Sequence, residues 1–158
     1  MKVLICSDTH RRHDNFLKVV EKEGPLDLLI HLGDTEGGEY LISEAAGCLS
    51  KIVAGNNDFF GDLPRELTFE LGGRKVWLTH GHNYYVMLDT AFIVEEAQAR
   101  GVNVVMFGHT HRPIIEEAGV LCINPGSISY PRQSGRQSSY IILTIDENDV
   151  WDLQIKYL

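Results

Sequence analysis

The chain lacks most of what would mark it for a membrane, a disulfide scaffold or a nucleic-acid backbone. No apolar run approaches the ~18 residues that a membrane-spanning helix needs. The opening "MKVLICSDTH" has an apolar stretch too short for a secretory leader, and polar residues follow at once. A cytoplasmic address is the expectation. Cysteines are few: Cys6, Cys48 and Cys122 form no C-x-x-C pair, and an odd number argues against a disulfide framework. Cys6 and Cys122 fall in strand-like runs, where packing is the expected role. Positive charge is scarce, with 14 Lys plus Arg against 22 Asp plus Glu. That balance is a poor footprint for gripping long nucleic acid, although metal ions could still create a local site for a small phosphate. Repeats, low-complexity tracts and long linkers are missing too. The 158 residues, 44% of them hydrophobic, therefore point to one ordinary globular domain over 1–158.

What is present begins with a regular alternation. "KVLICS" reads as a strand, and "NFLKVVEKE" as a helix with Phe16, Leu17 and Val20 at helical spacing, Asp14 as N-cap and Gly24-Pro25 as stop. "LDLLIHLGD" is a second strand, "EYLISEAA" a second helix closed by Gly47, and "KIVAGN" a third strand. This βαβαβ order implies a parallel sheet with right-handed crossovers. Further on, "LTFEL", "GGR" and "KVWLTH" read as a hairpin. A third helix is expected from about Met87 to Arg100, with Leu88, Ala91 and Phe92 on one face. "VNVVMFGH" and "GVLCINPGS" are strand-like, and "SYIILTID" with "DVWDLQIKYL" suggests an antiparallel pair. Trp77 and Trp151 read as core aromatics.

The strands end alike. They deliver Asp8-Thr9-His10, Asp34, Asn56-Asn57-Asp58, His80-Gly81-His82 and His109-Thr110-His111. Open α/β sheets place their sites at these carboxyl ends. In an extended segment, residues i and i+2 share a side, roughly 6.5–7 Å apart. Asp8 with His10, and His109 with His111, could so serve two metals ~3.5–4 Å apart, with Asp34 as the bridging carboxylate. Imidazole, carboxylate and amide oxygen without thiolate suit Mn, Fe, Zn, Ni or Co. Two dications would outweigh the charges of Asp8 and Asp34 and leave a pocket able to bind phosphate. A lone strand-end His or Asp is ordinarily structural, but five strand ends doing this independently is not.

In order, "DTH" at Asp8, "GD" at Gly33, "GNND" at Gly55, "THGH" at Thr79 and "GHTH" at Gly108 resemble the calcineurin-like metallophosphoesterases. Within them the chain resembles the small bacterial and archaeal phosphodiesterases that lack a cap domain, as do "NPGS" (Asn124–Ser127) and "YPR" ending at Arg132. The resemblance implies a four-layer α/β/β/α sandwich of two mixed sheets flanked by helices. It implies Asp8, His10 and His111 on one metal, Asn56, His80 and His109 on the other, and Asp34 between them, with Mn the leading candidate. A homodimer or tetramer is plausible on resemblance alone. The implied activity is hydrolysis of a small phosphate ester, foremost a diester, by a metal-bridging hydroxide, with Asn56 helping to stabilise charge on the phosphoryl oxygens. The alternatives are a phosphomonoesterase, or a non-catalytic metal-binding scaffold of the kind known from the retromer sorting subunit.

One departure matters. Many larger members carry His after the ligand Asn, where this chain has Asn57. An amide has no proton of useful pKa to give a leaving group, so monoesters with strongly basic leaving groups are disfavoured, and easier leaving groups or another donor are favoured. His82 could donate instead or contact phosphate, or could be structural. Asn57 and Arg132 are further candidates for touching substrate. Asp58 either orients its neighbours or makes a turn. His31 reads as a satisfied core residue, His13 as a loop residue, and Arg11 and Arg12 as solvated charge.

Overall fold

The computed structural model describes residues 1–158. Its first strand, β1 (Lys2–Cys6), shows how the sequence builds layers. Val3 and Ile5 face one way, Leu4 and Cys6 the other, and all four are buried, so both faces of the strand need a cover. Leu4 and Cys6 pack with Phe16, Val19 and Ile42 under helices α1 (Asp14–Glu23) and α2 (Glu39–Ala46). Val3 and Ile5 join Ile30, Val76, Leu78, Met106 and Ile123 in a core between two sheets. On the far side, Trp77, Val105, Phe107 and Cys122 meet Ile93 and Ala97 of α3 (Ala91–Ala99). The layers run α/β/β/α, as the resemblance implied.

The first sheet has the order β10-β9-β1-β2-β3, with β2 at Leu28–His31, β3 at Leu49–Ile52, β9 at Ser139–Ile145 and β10 at Trp151–Tyr157. Strands β1, β2 and β3 are parallel, while β9 and β10 form the expected antiparallel pair. The second sheet has the order β4-β5-β6-β8-β7, with β4 at Glu66–Leu71, β5 at Arg74–Thr79, β6 at Val104–Met106, β7 at Pro113–Glu117 and β8 at Leu121–Pro125. Here β5, β6 and β8 are parallel and β4 pairs antiparallel with β5. No helix is long and apolar enough to cross a membrane.

Several local expectations change. Asp14 opens α1 from within, where its charge favours the N-terminus, and His13 holds the cap position. The buried face of α1 is Phe16, Val19 and Glu23, whereas Leu17 is exposed. Helix α3 starts at Ala91 rather than Met87, because His82–Tyr84 forms a 3₁₀ turn and Tyr85 adopts a left-handed φ of 55°. Asp89 Oδ1 then accepts the Ala91 N–H at 2.9 Å. Leu88 and Phe92 are consequently exposed, and Ile93 and Ala97 carry the contact with the sheet. Strand β3 begins at Leu49, earlier than "KIVAGN" suggested. Strand β7 was not anticipated. Trp151 is half-buried against the inter-sheet core, its indole N–H donating to Gly72 O.

Candidate metal centre

The strands reaching the common edge leave their sheets on left-handed backbone. Asp8, His10, Asp34, His109 and His111 have φ of 57°, 44°, 57°, 66° and 58°. That region is costly for residues bearing a Cβ, and such strain concentrates at functional sites. The premise that Asp8/His10 and His109/His111 pair along extended strands is therefore corrected. Strand β1 stops at Cys6 and β6 at Met106, so both pairs lie on loops. His109 turns toward His80, with ring centroids 5.2 Å apart, while His111 turns toward Asp8 and His10.

Main-chain hydrogen bonds hold these loops: Asp8 N–H to Gly33 O at 3.0 Å, His10 N–H to Asp34 O at 2.9 Å, and Gly108 N–H to His80 O at 3.1 Å. Gly33, at φ 101°, lets two loops touch; a Cβ there would lie 2.7 Å from both Gly55 N and His80 Nδ1. The "NPGS" segment works from behind. Asn124 Nδ2 donates to Gly108 O and Thr110 Oγ1, and Ser127 Oγ donates to Asp8 O.

The result is a compact donor set. Asp8 Oδ1 lies 3.1 Å from His111 Nε2, 3.7 Å from His10 Nε2 and 3.9 Å from His80 Nε2. Asp34 Oδ2 lies 3.4 Å from His80 Nε2 and 3.7 Å from His10 Nε2. Asn56 Oδ1 is 3.1 Å from His80 Nε2. Two groups, Asp8/His10/His111 and Asp8/Asp34/His80, each keep their donor atoms within 4.8 Å of one another. His109 and Asn56 border these groups through His80.

The imidazoles are oriented from their far side. His10 Nδ1 meets Glu36 Oε1 at 2.6 Å, His80 Nδ1 meets Leu32 O at 2.6 Å, and His111 Nδ1 meets Tyr130 O at 2.5 Å. Each partner is an acceptor, so Nδ1 holds a hydrogen and Nε2 is turned inward, where a cation would displace any proton it carries. Charge is compressed here. Burial alone would raise Asp8 and Asp34, yet neighbouring imidazoles, together with Asn57 at Asp34, hold both below the usual carboxylate range. His80 is pushed up to about 9, its burial outweighed by Asp34 and Asp8. His109 is pulled down to about 4 by burial and by the His80 charge. Asp8 Oδ1 is buried and accepts no hydrogen bond. A buried orphan oxygen ringed by inward-turned Nε2 atoms is the environment a divalent cation satisfies, so these residues fit such an ion.

The remaining candidates separate clearly. Both donors of Asn57 go to Asp34, the N–H at 2.8 Å and Nδ2 at 2.7 Å. Asp58 accepts from Asp34 N, Gly55 N, Glu36 N and Thr35 Oγ1, which ties the second and third loops together. His82 is half-buried, with its ring 5.5 Å from His80 and 6.1 Å from His109, and its buried Nδ1 has no partner. Burial and the His80 charge lower its pKa. His31 is fully buried between Thr9 Oγ1 and Gly33 N, pulled down to about 4 by that burial. His13 lies against Gly38, away from the donor set. Arg11 pairs with Glu36, and Arg12 lies over the Tyr130 ring. Arg132 is exposed on a cleft beside His10 and His111.

Sequence reasoning missed Glu36, the Leu32 and Tyr130 carbonyls, and Arg112 and Arg136 on that cleft. Glu36 had a signal, since it follows Asp34 by two residues; the carbonyls had none.

Residues 1–148 match the calcineurin-like phosphoesterase superfamily domain. The chain is 39% identical over 153 residues to a probable metallophosphoesterase of Bacillus subtilis, YsnB, covering 94% of this chain and 86% of that protein. It is 33% identical over 146 residues to the phosphodiesterase MJ0936 of Methanocaldococcus jannaschii, covering 80% and 83%. A predicted phosphoesterase of Streptococcus pneumoniae TIGR4 has the same fold, with a TM-score of 0.80, 29% identity, and coverage of 99% and 88%.

Proposed function

Since the chain belongs to the calcineurin-like phosphoesterase superfamily, we propose that it hydrolyses phosphate esters, diesters by preference, on a centre of two divalent cations. The supporting observation is the gathering of Asp8, Asp34 and three inward-facing Nε2 atoms into two overlapping donor groups that share Asp8. Asp8, His10 and His111 would hold one cation, Asn56, His80 and His109 the other, with Asp34 shared. The position of Asp34 Oδ2 between His80 and His10 favours that sharing. Manganese is the leading choice, and iron, zinc, nickel and cobalt suit the same donors. When bound, the cations supply Lewis acidity, which acidifies water and neutralises charge on phosphoryl oxygens.

The protein's own part is orientation. Glu36, Leu32 O and Tyr130 O keep three imidazoles from rotating, and Asn57 holds Asp34. In the reaction, water oxygen joins phosphorus, the ester P–O bond breaks, and the departing oxygen leaves as an alcohol. Asn57 cannot protonate that oxygen, so an aliphatic leaving alcohol such as a sugar hydroxyl needs another donor, the role His82 would fill, whereas an acidic alcohol needs none. His82, beside His80 and His109, would meet the phosphate or the leaving oxygen, and Arg132 on the cleft would meet a phosphate of the substrate.

The test is metal reconstitution of stripped protein, assayed with bis(p-nitrophenyl) phosphate and p-nitrophenyl phosphate. Metal-dependent turnover favouring the diester is expected, and His109→Ala should lower both metal occupancy and turnover. Preference for the monoester would make the protein a phosphatase. Protein that takes up manganese yet cleaves neither ester would be the scaffold instead.

A further inference from the structure

The cleft beside His10 and His111 has a wall that the donor set does not use. It encloses 560 Å³ and is lined by Arg112, Arg132, Arg136 and Tyr130. The three arginines are exposed, and the cleft has no acidic residue in its lining. None of them pairs with a carboxylate, as Arg11 and Arg100 do with Glu36 and Glu66, and unlike the other unpaired arginines, Arg12, Arg65 and Arg74, these three line one cleft. In a chain with 22 acidic and 14 basic residues, random mixing would place a carboxylate in the lining of a cleft that carries three arginines. Like charges gathered without counter-charge repel one another, and an arriving anion relieves that repulsion.

The backbone that carries the wall is tied in place. Arg112 follows His111 directly, and its N–H donates to Thr110 Oγ1 at 3.1 Å. Arg132 N–H donates to His111 O at 3.0 Å. Arg136 is left-handed, φ 46°, with its N–H on Gln133 O at 3.1 Å. Tyr130 lines the cleft together with His10 and His111. Its ring meets His10 edge-on at 5.3 Å and carries the Arg12 guanidinium 4.6 Å above it.

A simple phosphodiester brings one negative charge, which a pair of dications already neutralises. Three further cationic forks, each shaped for bidentate phosphate contact, exceed that need. We propose that Arg112, Arg132 and Arg136 form a subsite for a second phosphate of the substrate, next along from the ester that is cleaved. The inference rests on the phosphoesterase reading above and narrows it. The substrate class is a short phosphodiester that carries a terminal phosphate, such as a 5′-phosphorylated dinucleotide.

The experiment compares dithymidine dinucleotides with and without a 5′ phosphate, using the manganese-loaded protein and R112A/R136A. The added phosphate should lower KM by about tenfold or more, as charge-assisted hydrogen bonds would give, with little change in kcat. The ratio of kcat/KM between the two dinucleotides should collapse toward unity in R112A/R136A. Calorimetry with the same pair, made hydrolysis-resistant by a phosphorothioate linkage, reads the preference without turnover. Should bis(p-nitrophenyl) phosphate be cleaved while wild-type protein binds both dinucleotides equally, the subsite is wrong and the phosphoesterase reading stands. Should the phosphate preference survive in R112A/R136A, its assignment to these arginines is overturned. Should binding favour the phosphorylated dinucleotide, lose that preference in R112A/R136A, and no ester be cleaved, the subsite stands and the enzyme reading fails.

Discussion

Glu36 is the one charged group among those that hold imidazole Nδ1 atoms at the centre, with Leu32 and Tyr130 acting through carbonyls. Removing it frees the His10 ring to turn and lowers the basicity of Nε2. Glu36→Ala should weaken metal binding by about tenfold to a hundredfold, measured by competition with a chromogenic chelator, while Glu36→Gln keeps an acceptor and should lose less. A second carboxylate acts far from the centre. Glu23 is buried, accepting from the Tyr140 hydroxyl at 2.8 Å and from Lys156 Nζ at 3.0 and 3.1 Å, and it also pairs with Lys2. Burial pushes its carboxyl up, but those bonds together hold it below its ordinary value of 4.5. A carboxyl lowered on folding stabilises fully above the unfolded value and loses that contribution as pH falls through the folded one. Glu23→Gln should therefore cost about 1–3 kcal/mol near neutrality, and the gap to the parent should narrow in acid, as urea titrations at the two pH values would read. Residue identity was legible wherever chemistry demands a particular side chain, as at Asp8, His80 and His111. It was illegible where a carbonyl suffices, since every residue at position 32 or 130 would carry one.

Among the elements, loops govern the outcome more than strands do. The first three strands were legible because buried parallel strands are nearly continuous apolar runs, and helices separated them in sequence. Strand β7 was not, because "PIIEE" is short, begins with Pro113 and is only half-buried, so neither alternation nor a long apolar run announced it. The start of α3 was misread because Met87, Leu88 and Phe92 imitate a helical face while lying exposed. The loop geometry was beyond sequence altogether, since left-handed Asp8 and His109 are held by contacts from other segments, such as the His109 N–H on Asp8 Oδ2 at 3.2 Å. Gly33 is where two of those segments meet. Gly33→Ala adds a Cβ at φ 101° against Gly55 and His80, so the loops must part. A loss of about 2–4 kcal/mol is expected, together with weakened manganese uptake, read by thermal denaturation and metal titration.

At the scale of the whole molecule, an acidic chain carries a cationic cleft on one flank of its carboxylate-imidazole centre. Net charge argued against a grip on long nucleic acid, but it averaged away three arginines that line one cleft only after folding. The layered plan was legible through the ordered motifs, because each motif closes a strand and strands with two buried faces must be sandwiched. The donors come from both sheets: Asp8, His10, Asp34 and Asn56 follow strands of the first, and His80, His109 and His111 follow strands of the second. Cations seated there would rivet one slab to the other at a single rim, while the opposite rim is held by apolar packing, the Trp151–Gly72 hydrogen bond and Arg74 over the Trp151 ring. Amide exchange on adding manganese should therefore slow in β1 and β6 together, although the two strands share no ladder, and slow least at the far margins. The molecule would then open like a book, hinged by its metal.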